Sequence, residues 1–253
     1  MIADLTNSRC RLRITGEDRI DFLHGQCTND IKQLRVGGDC YVAFLNAKGK
    51  MRGDGHVLRL PEELLLETSP GMQAVLEKFI VTEDVVIEVA DSRQYLAFGE
   101  TPAGLTYRHA LGLGVITPAI LPVTLGDAEL EILRVEAGVP QFGVDMDETT
   151  IPVEAGLVSA ISYEKGCYVG QETIARIRTY GHVNRHLVQL ALTAPGRAIS
   201  AGEKEVGQIT STAQSKRLGK LIALGYVRRE FAVSGTKLNV GGQPAEVIKL
   251  CEV

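Results

Sequence analysis

Lys165-Gly166-Cys167-Tyr168-Val169-Gly170-Gln171-Glu172 sets one cysteine between two glycines and a lysine, just ahead of a helical pattern that runs through Thr173 to Ile177. With apolar residues at 174, 175 and 177, the spacing predicts that Cys167 sits at or just before the first helical turn. Unpaired N–H groups and the positive dipole end favour an anion there, and Lys165 supplies a second positive charge. Both influences lower a thiol pKa and enlarge the nucleophilic thiolate fraction. The competing reading is a buried cysteine in a glycine-lined turn, and local chemistry alone does not separate the two.

Other residues offer chemistry with a plainer local reading beside it. Gly53-Asp54-Gly55 carries a carboxylate, but by composition it is a turn. Arg134 and Glu136 lie just before Gly138 and Pro140, where an ordinary ion pair at a helix end is the local alternative. His182 and His186 have the spacing of metal ligands on a helix. The residues around them read as extended, however, which would put the two rings about 13 Å apart, so no metal site is expected. Gly112-Leu113-Gly114 lacks the third glycine and the acidic partner of a dinucleotide fingerprint. Lys216-Arg217 and Arg228-Arg229 read as solvated surface rather than an RNA groove.

The elements that must position these residues follow from periodicity. Residues 9–14 predict a strand, followed by a helix capped by Thr15 with Ile20, Phe22 and Leu23 on its apolar face. Residues 41–45, 56–60, 64–67 and 85–89 predict strands. Ser69-Pro70 predicts a helix start, with Pro70 at the first helical position. Between 94 and 123 glycine and proline interrupt every apolar run, and the reading weakens. A helix is expected over 128–136. From 187 onward, runs at 187–192, 205–210, 221–227, 237–240 and 245–250 predict short strands separated by Gly-rich turns, the pattern of a small barrel or sandwich. The whole reads as α+β: residues 1–183 form an α+β domain, in subdomains of roughly 1–90 and 91–183, and 184–253 form the barrel.

Composition narrows the classes further. The 253 residues are 45% hydrophobic and 23% charged, values of a globular protein, and the net charge of −4 gives no global attraction to nucleic acid or membrane. Five cysteines at 10, 27, 40, 167 and 251 show neither C-x-x-C nor zinc spacing, so free thiols in a reducing compartment are expected. The amino terminus shows no secretory pattern, and the most apolar window, 110–123, is broken by Gly112, Gly114, Pro118 and Pro122. A cytoplasmic location is the expectation.

The ordered motifs carry a resemblance over nearly the whole chain. Lys165-Gly166-Cys167-Tyr168-x-Gly170-Gln171-Glu172 resembles the signature of the YgfZ family, folate-binding proteins connected with iron–sulfur enzymes and tRNA modification and related to the aminomethyltransferase of the glycine cleavage system. Ile14-Thr15-Gly16-Glu17-Asp18-Arg19, Leu45-Asn46-Ala47-Lys48-Gly49-Lys50-Met51, Glu136-Ala137-Gly138-x-Pro140 and the C-terminal Leu221–Val227 run are similar to both groups. The resemblance implies two split α+β subdomains and a small barrel around a folate channel. It further implies tetrahydrofolate, or a one-carbon derivative, as cofactor, and Fe–S enzymes or cluster-assembly proteins as partners.

Residue by residue, the resemblance implies folate contacts at Tyr41, Asp54, Arg134 and Glu136, and further cofactor contacts at Tyr168, Glu172 and Arg176. Cys167, Lys165 and Asp54 are the implied reacting groups. Aminomethyltransferases generally lack a cysteine at position 167, whereas many YgfZ-type sequences lack an aspartate at 54, so one-carbon transfer stays open. The chain has no tryptophan, so no folate-stacking tryptophan carries over, and its middle segment is shorter than in full aminomethyltransferases.

Overall fold

The computed structural model describes residues 1–253 and divides into two compact units, Met1–Gly126 with Ser159–Ala175 and Asp127–Val158 with Arg176–Val253. In the first unit the elements in chain order are β1 (Ile2–Asp4), β2 (Cys10–Thr15), α1 (Arg19–Gln26), β3 (Asp39–Leu45), β4 (Met51–Arg59), β5 (Leu64–Thr68), α2 (Met72–Glu77), β6 (Val86–Val89), β7 (Arg93–Ala97), β8 (Leu105–His109) and β9 (Gly112–Thr117). They form two antiparallel sheets, ordered β3-β4-β5-β2-β6 and β1-β7-β9-β8. β7–β9 fill the stretch where glycine and proline obscured the periodicity. Gly114 is needed there because a Cβ would stand 2.1 Å from the Tyr107 ring.

The five-stranded sheet has two unlike faces. One carries Leu12, Ile14, Val42, Val57, Leu64 and Leu66 and buries Phe22 and Leu23 of α1 and Met72 and Leu76 of α2. On the other face, Leu58 and Leu65 pack against Tyr107 and Ile116 of the second sheet. Side chains alternate along a strand, so the same face also carries His56 and Glu67, at positions 58 − 2 and 65 + 2. A pair of sheets in contact is thus built around a partly polar layer.

Helix starts differ from the sequence expectation in two places. Thr15 pairs with Val86 as the last residue of β2 and caps nothing; α1 starts behind Asp18. Pro70 is not the first helical residue either, because Gly71 adopts a left-handed φ of 84° and α2 begins at Met72.

The second unit begins with α3 (Asp127–Ala137). The helix α4 (Gln171–Tyr180), whose first half belongs to the first unit, then leads to the strands β10 (Arg185–Leu192), β11 (Ala198–Ala201), β12 (Lys204–Ser215), β13 (Lys220–Arg228), β14 (Lys237–Val240) and β15 (Gln243–Leu250). These strands close into a six-stranded barrel, β10-β13-β12-β11-β14-β15, around Val188, Leu190, Ile199, Ala223, Val227 and Val247. Closure removes the exposed edges of the sheet. No helix is long and apolar enough to cross a membrane.

Candidate functional site

Strand register assembles a charged cluster that no single motif encodes. Tyr41 lies opposite His56, His56 opposite Glu67, and Asp54 precedes His56 by two residues on the same face of β4. Asp54 is therefore a mid-strand residue facing Ala43, and the local reading of Gly53-Asp54-Gly55 as a turn does not hold. Gly55 is required by close approach, since a Cβ there would stand 2.2 Å from the Glu67 carbonyl oxygen.

Asp54 is 5% exposed, and its carboxylate is richly bonded. Oδ1 accepts from Arg9 Nη1 at 3.0 Å and from Ser69 Oγ at 3.0 Å, and Oδ2 accepts from the Tyr41 hydroxyl at 2.6 Å. Arg9 also bonds Glu67 through Nε, and His56 Nδ1 lies 3.0 Å from Glu67 Oε2. The His56 ring stacks on Tyr41 at 4.7 Å and packs tilted against Tyr107 at 4.6 Å and His109 at 5.4 Å.

The electrostatics of this cluster are set by a contest between burial and pairing. Burial opposes ionisation of Asp54, but the Arg9 charge and the Tyr41 hydrogen bond outweigh it and hold the carboxyl below its ordinary value. Glu67 is likewise held well below its ordinary value: burial is again overcome, here by Arg9 and His56. Burial, then the Asp54 charge, pushes the Tyr41 phenol well up, so it donates rather than ionises. His109, desolvated and beside His56, is pushed down to about 3 and is neutral. Such a network is costly to break: leaving a buried charge without its partner costs about 3–5 kcal/mol. Arg9, Glu67, His56 and Ser69 escaped the motif reading. The available signal was a glutamate closing the otherwise apolar run Leu64-Leu65-Leu66 of a buried strand.

Lys165 and Cys167 part company. Cys167 is exposed in a loop, and α4 begins four residues later at Gln171, because Gly170 turns the chain with a φ of 83°. The expected place in the first helical turn is thus not realised. Lys165 is 7% exposed, and its ammonium donates to the carbonyls of His24 and Cys27, the latter at 2.7 Å, while lying 4.8 Å from the Tyr168 ring centroid. Burial lowers its pKa. Lys165 and Tyr168 therefore brace the loop from inside, and Cys167 stands at its outer surface. Glu172 lies in the first turn of α4 and Arg176 one turn on, both exposed.

Arg134 and Glu136 sit in the second unit and are committed to its framework. All five guanidinium N–H groups of Arg134 are spent, on Glu131 twice, on Asp145, on Ser211 and on the Val139 carbonyl. Glu136 accepts from Ser215 and from Arg217 Nε, which together lower its pKa. Gln189 Nε2 bonds the Val135 and Glu136 carbonyls, and Lys249 bonds that of Ala137, so the last turn of α3 is capped by the barrel. The same unit has a cleft of 620 Å³ along β12 and β13, lined by Arg185, Arg197, Arg228, Asp147 and Tyr226. Arg185 is bound to Glu154 and stacked on Tyr226. The walls are charged and mixed in sign, unlike the mostly apolar lining of a site for a flat heterocycle.

Comparison with known proteins agrees with this architecture. The family model for the glycine cleavage T-protein C-terminal barrel domain matches residues 185–251, the barrel described above. An aminomethyltransferase of Thermosynechococcus vestitus is 40% identical, over 91% of this chain and 77% of that protein. A chloroplastic protein of Arabidopsis thaliana is 28% identical over 91% of this chain, which spans 66% of that protein's length. The crystal structure of glycine cleavage system aminomethyltransferase T from Bartonella henselae superposes with a TM-score of 0.85 at 19% identity, covering 100% of this chain and 86% of that one. The fold is that of an aminomethyltransferase ending in a six-stranded barrel, and the 40% identity to an aminomethyltransferase over 91% of this chain places the chain in the aminomethyltransferase family.

Proposed function

We propose that the protein is a tetrahydrofolate-binding accessory factor of the YgfZ type, acting in the cytoplasm to support assembly or repair of iron–sulfur clusters. Its clients would be Fe–S enzymes, tRNA-modifying ones among them, or cluster-assembly proteins. The observation that carries this reading is Cys167, exposed at the surface of a loop whose lysine and tyrosine are turned inward to hold it. An accessible thiol within an aminomethyltransferase-like frame is suited to thiol exchange or to contact with a cluster intermediate. It is not suited to holding a stable cluster alone, which takes several cysteines.

The residues of the Asp54 cluster fit a pterin. Tyr41 and Arg9, both partly exposed, flank the carboxylate. A carboxylate oxygen offers two lone pairs, so Asp54 Oδ2, with only Tyr41 bonded, retains one acceptor position for a ring N–H. When bound, tetrahydrofolate would supply one-carbon chemistry; Tyr41 and Asp54 would orient its ring.

Two measurements test the reading. In cells carrying Cys167→Ser, Fe–S enzyme activity is expected to fall severalfold while protein level and folate affinity stay normal; unchanged enzyme activity counts against it. Calorimetric titration with tetrahydrofolate is expected to saturate for the wild type and to weaken at least tenfold in Asp54→Ala. No saturable uptake by the wild type removes the folate half. The second reading, folate-dependent aminomethyl transfer, is favoured by the 40% identity to an aminomethyltransferase. Robust transfer from an aminomethyl-lipoyl carrier protein that survives Cys167→Ser would establish it in place of the first.

A further inference from the structure

The cleft along β12 and β13 belongs wholly to the second unit, and neither the folate nor the thiol reading uses it. Strand register builds its basic wall. Arg185 of β10 stands directly opposite Arg228 of β13, and Tyr226 lies two residues along on the same face. Like charges placed opposite each other across a sheet cost stability, and an anion between them relieves that cost. Glu154 answers only one of the two. It accepts from Arg185 Nε at 3.0 Å, while the guanidinium carbon lies 4.5 Å from the Tyr226 ring centroid. These two contacts hold the fork in place and leave both of its Nη groups without a protein acceptor, on a side chain 37% exposed. Arg228 is exposed and makes no side-chain bond or ion pair.

The other charges of the lining do not cancel this wall. Asp145 is consumed by Arg134, Thr210 and Ser211. Glu131 shares Arg134, but it lies outside the lining and in contact with water, where its charge is screened. Arg197 flanks β12 from its opposite edge, its carbonyl accepting from the Ile209 N–H, and its side chain is exposed and unpaired. Asp147 is thus the one carboxylate left against Arg197 and Arg228.

Asp147 qualifies the ligand further. Its Oδ1 accepts from the Thr149 N–H and from the hydroxyls of Thr149 and Thr150, while Oδ2 bonds no protein donor. A free carboxylate oxygen repels a bare anion but accepts from a hydroxyl. The lining therefore suits a ligand with an anionic head for the arginine forks and hydroxyl donors beside it. Phosphate meets the first demand, because its oxygens match guanidinium forks in bidentate fashion. The volume of 620 Å³ is that of a small-molecule site.

We propose that this cleft binds a sugar phosphate, its phosphate held between Arg185 and Arg228 and its hydroxyls turned toward Asp147. The inference is independent of the folate reading, since it uses no residue of the first unit.

The test titrates ribose 5-phosphate into the full chain by calorimetry. Saturable binding is expected, with inorganic phosphate bound at least tenfold more weakly. Arg228→Ala removes an exposed side chain that no framework contact uses, so its Tm should match the wild type, while affinity for ribose 5-phosphate should fall at least tenfold. Arg229→Ala removes the same charge from an exposed neighbour outside the lining and should leave that affinity unchanged. Asp147→Asn should bind inorganic phosphate more tightly than the wild type does. No saturable uptake of ribose 5-phosphate by the wild type overturns the inference. So does an affinity in Arg228→Ala within twofold of the wild type, or an equal loss in Arg229→Ala, which would reduce the effect to diffuse charge. Equal binding of the two probes by the wild type overturns it too, because the hydroxyls would then contribute nothing.

Discussion

Among the charged side chains singled out by sequence, Lys165, Arg134 and Glu136 serve the framework, and one emerges at the centre of a network. Lys165 spends its ammonium on backbone carbonyls, and Arg134 spends every donor within its own unit. Asp54 is the centre of the network, paired to Arg9. The acid limb of stability should report this. Asp54 and Glu67 are ionised more readily in the fold than at their ordinary values of 3.8 and 4.5. Their contribution is complete above those values and is lost as pH falls through the lower folded ones. His109 acts earlier. The fold keeps its ring neutral down to about 3, whereas the unfolded chain protonates it near 6.5, so stability is whole above pH 6.5 and declines below it. His24 and His186, also held down by burial, add to the same limb. Denaturant unfolding across pH is expected to show a loss beginning below 6.5 and steepening below 4.5, with His109→Gln making the first part shallower. An unchanged limb in His109→Gln would show that this ring is not held neutral by the fold.

At the scale of elements, the loop before α4 shows how a local helix signal is displaced by packing. The run from Cys167 has helical apolar spacing, but Gly170 is left-handed and lies against the turn after β3, where a Cβ would stand 2.5 Å from the Asn46 carbonyl oxygen. Thr173 Oγ1 then donates to the Lys48 carbonyl at 3.0 Å, fastening the start of the helix to the same turn. Gly170→Ala meets both the backbone strain and the clash. It is expected to cost about 1–3 kcal/mol in denaturant unfolding; a loss within about 0.5 kcal/mol, the size of an ordinary surface change, would show that the turn yields. Elements whose apolar residues follow a clean period stand where the sequence predicts them. β14 spans Lys237–Val240, and α3 spans Asp127–Ala137 against an expected 128–136. β11 goes unpredicted: its run Ala198-Ile199-Ser200-Ala201 carries a single large apolar residue, too little to set a period.

Across the whole molecule the five cysteines behave as a set of unlike thiols. Cys167 is exposed, Cys10 and Cys40 are partly buried, and Cys27 and Cys251 are buried. Burial pushes the Cys27 thiol to about 11 and that of Cys251 to about 12, leaving almost no thiolate at neutral pH. Maleimide labelling followed by peptide mass spectrometry is therefore expected to modify Cys167 first, and Cys27 and Cys251 only on unfolding. Rapid native labelling of Cys27, or protection of Cys167, would contradict the arrangement on which the accessory reading depends.

Apolar periodicity, turn residues and the ordered motifs already specified the α+β class, most strands, the terminal barrel and the family resemblance. Those signals are local, because each strand or helix writes its buried face into consecutive residues. Charge compensation is not local. Arg9 meets Glu67 across 58 positions, and Ser215 meets Glu136 across 79. Which carboxylate is paired, and which lysine is spent on backbone, is decided by strand register and by sheets closing over polar side chains. Only the folded chain contains that information.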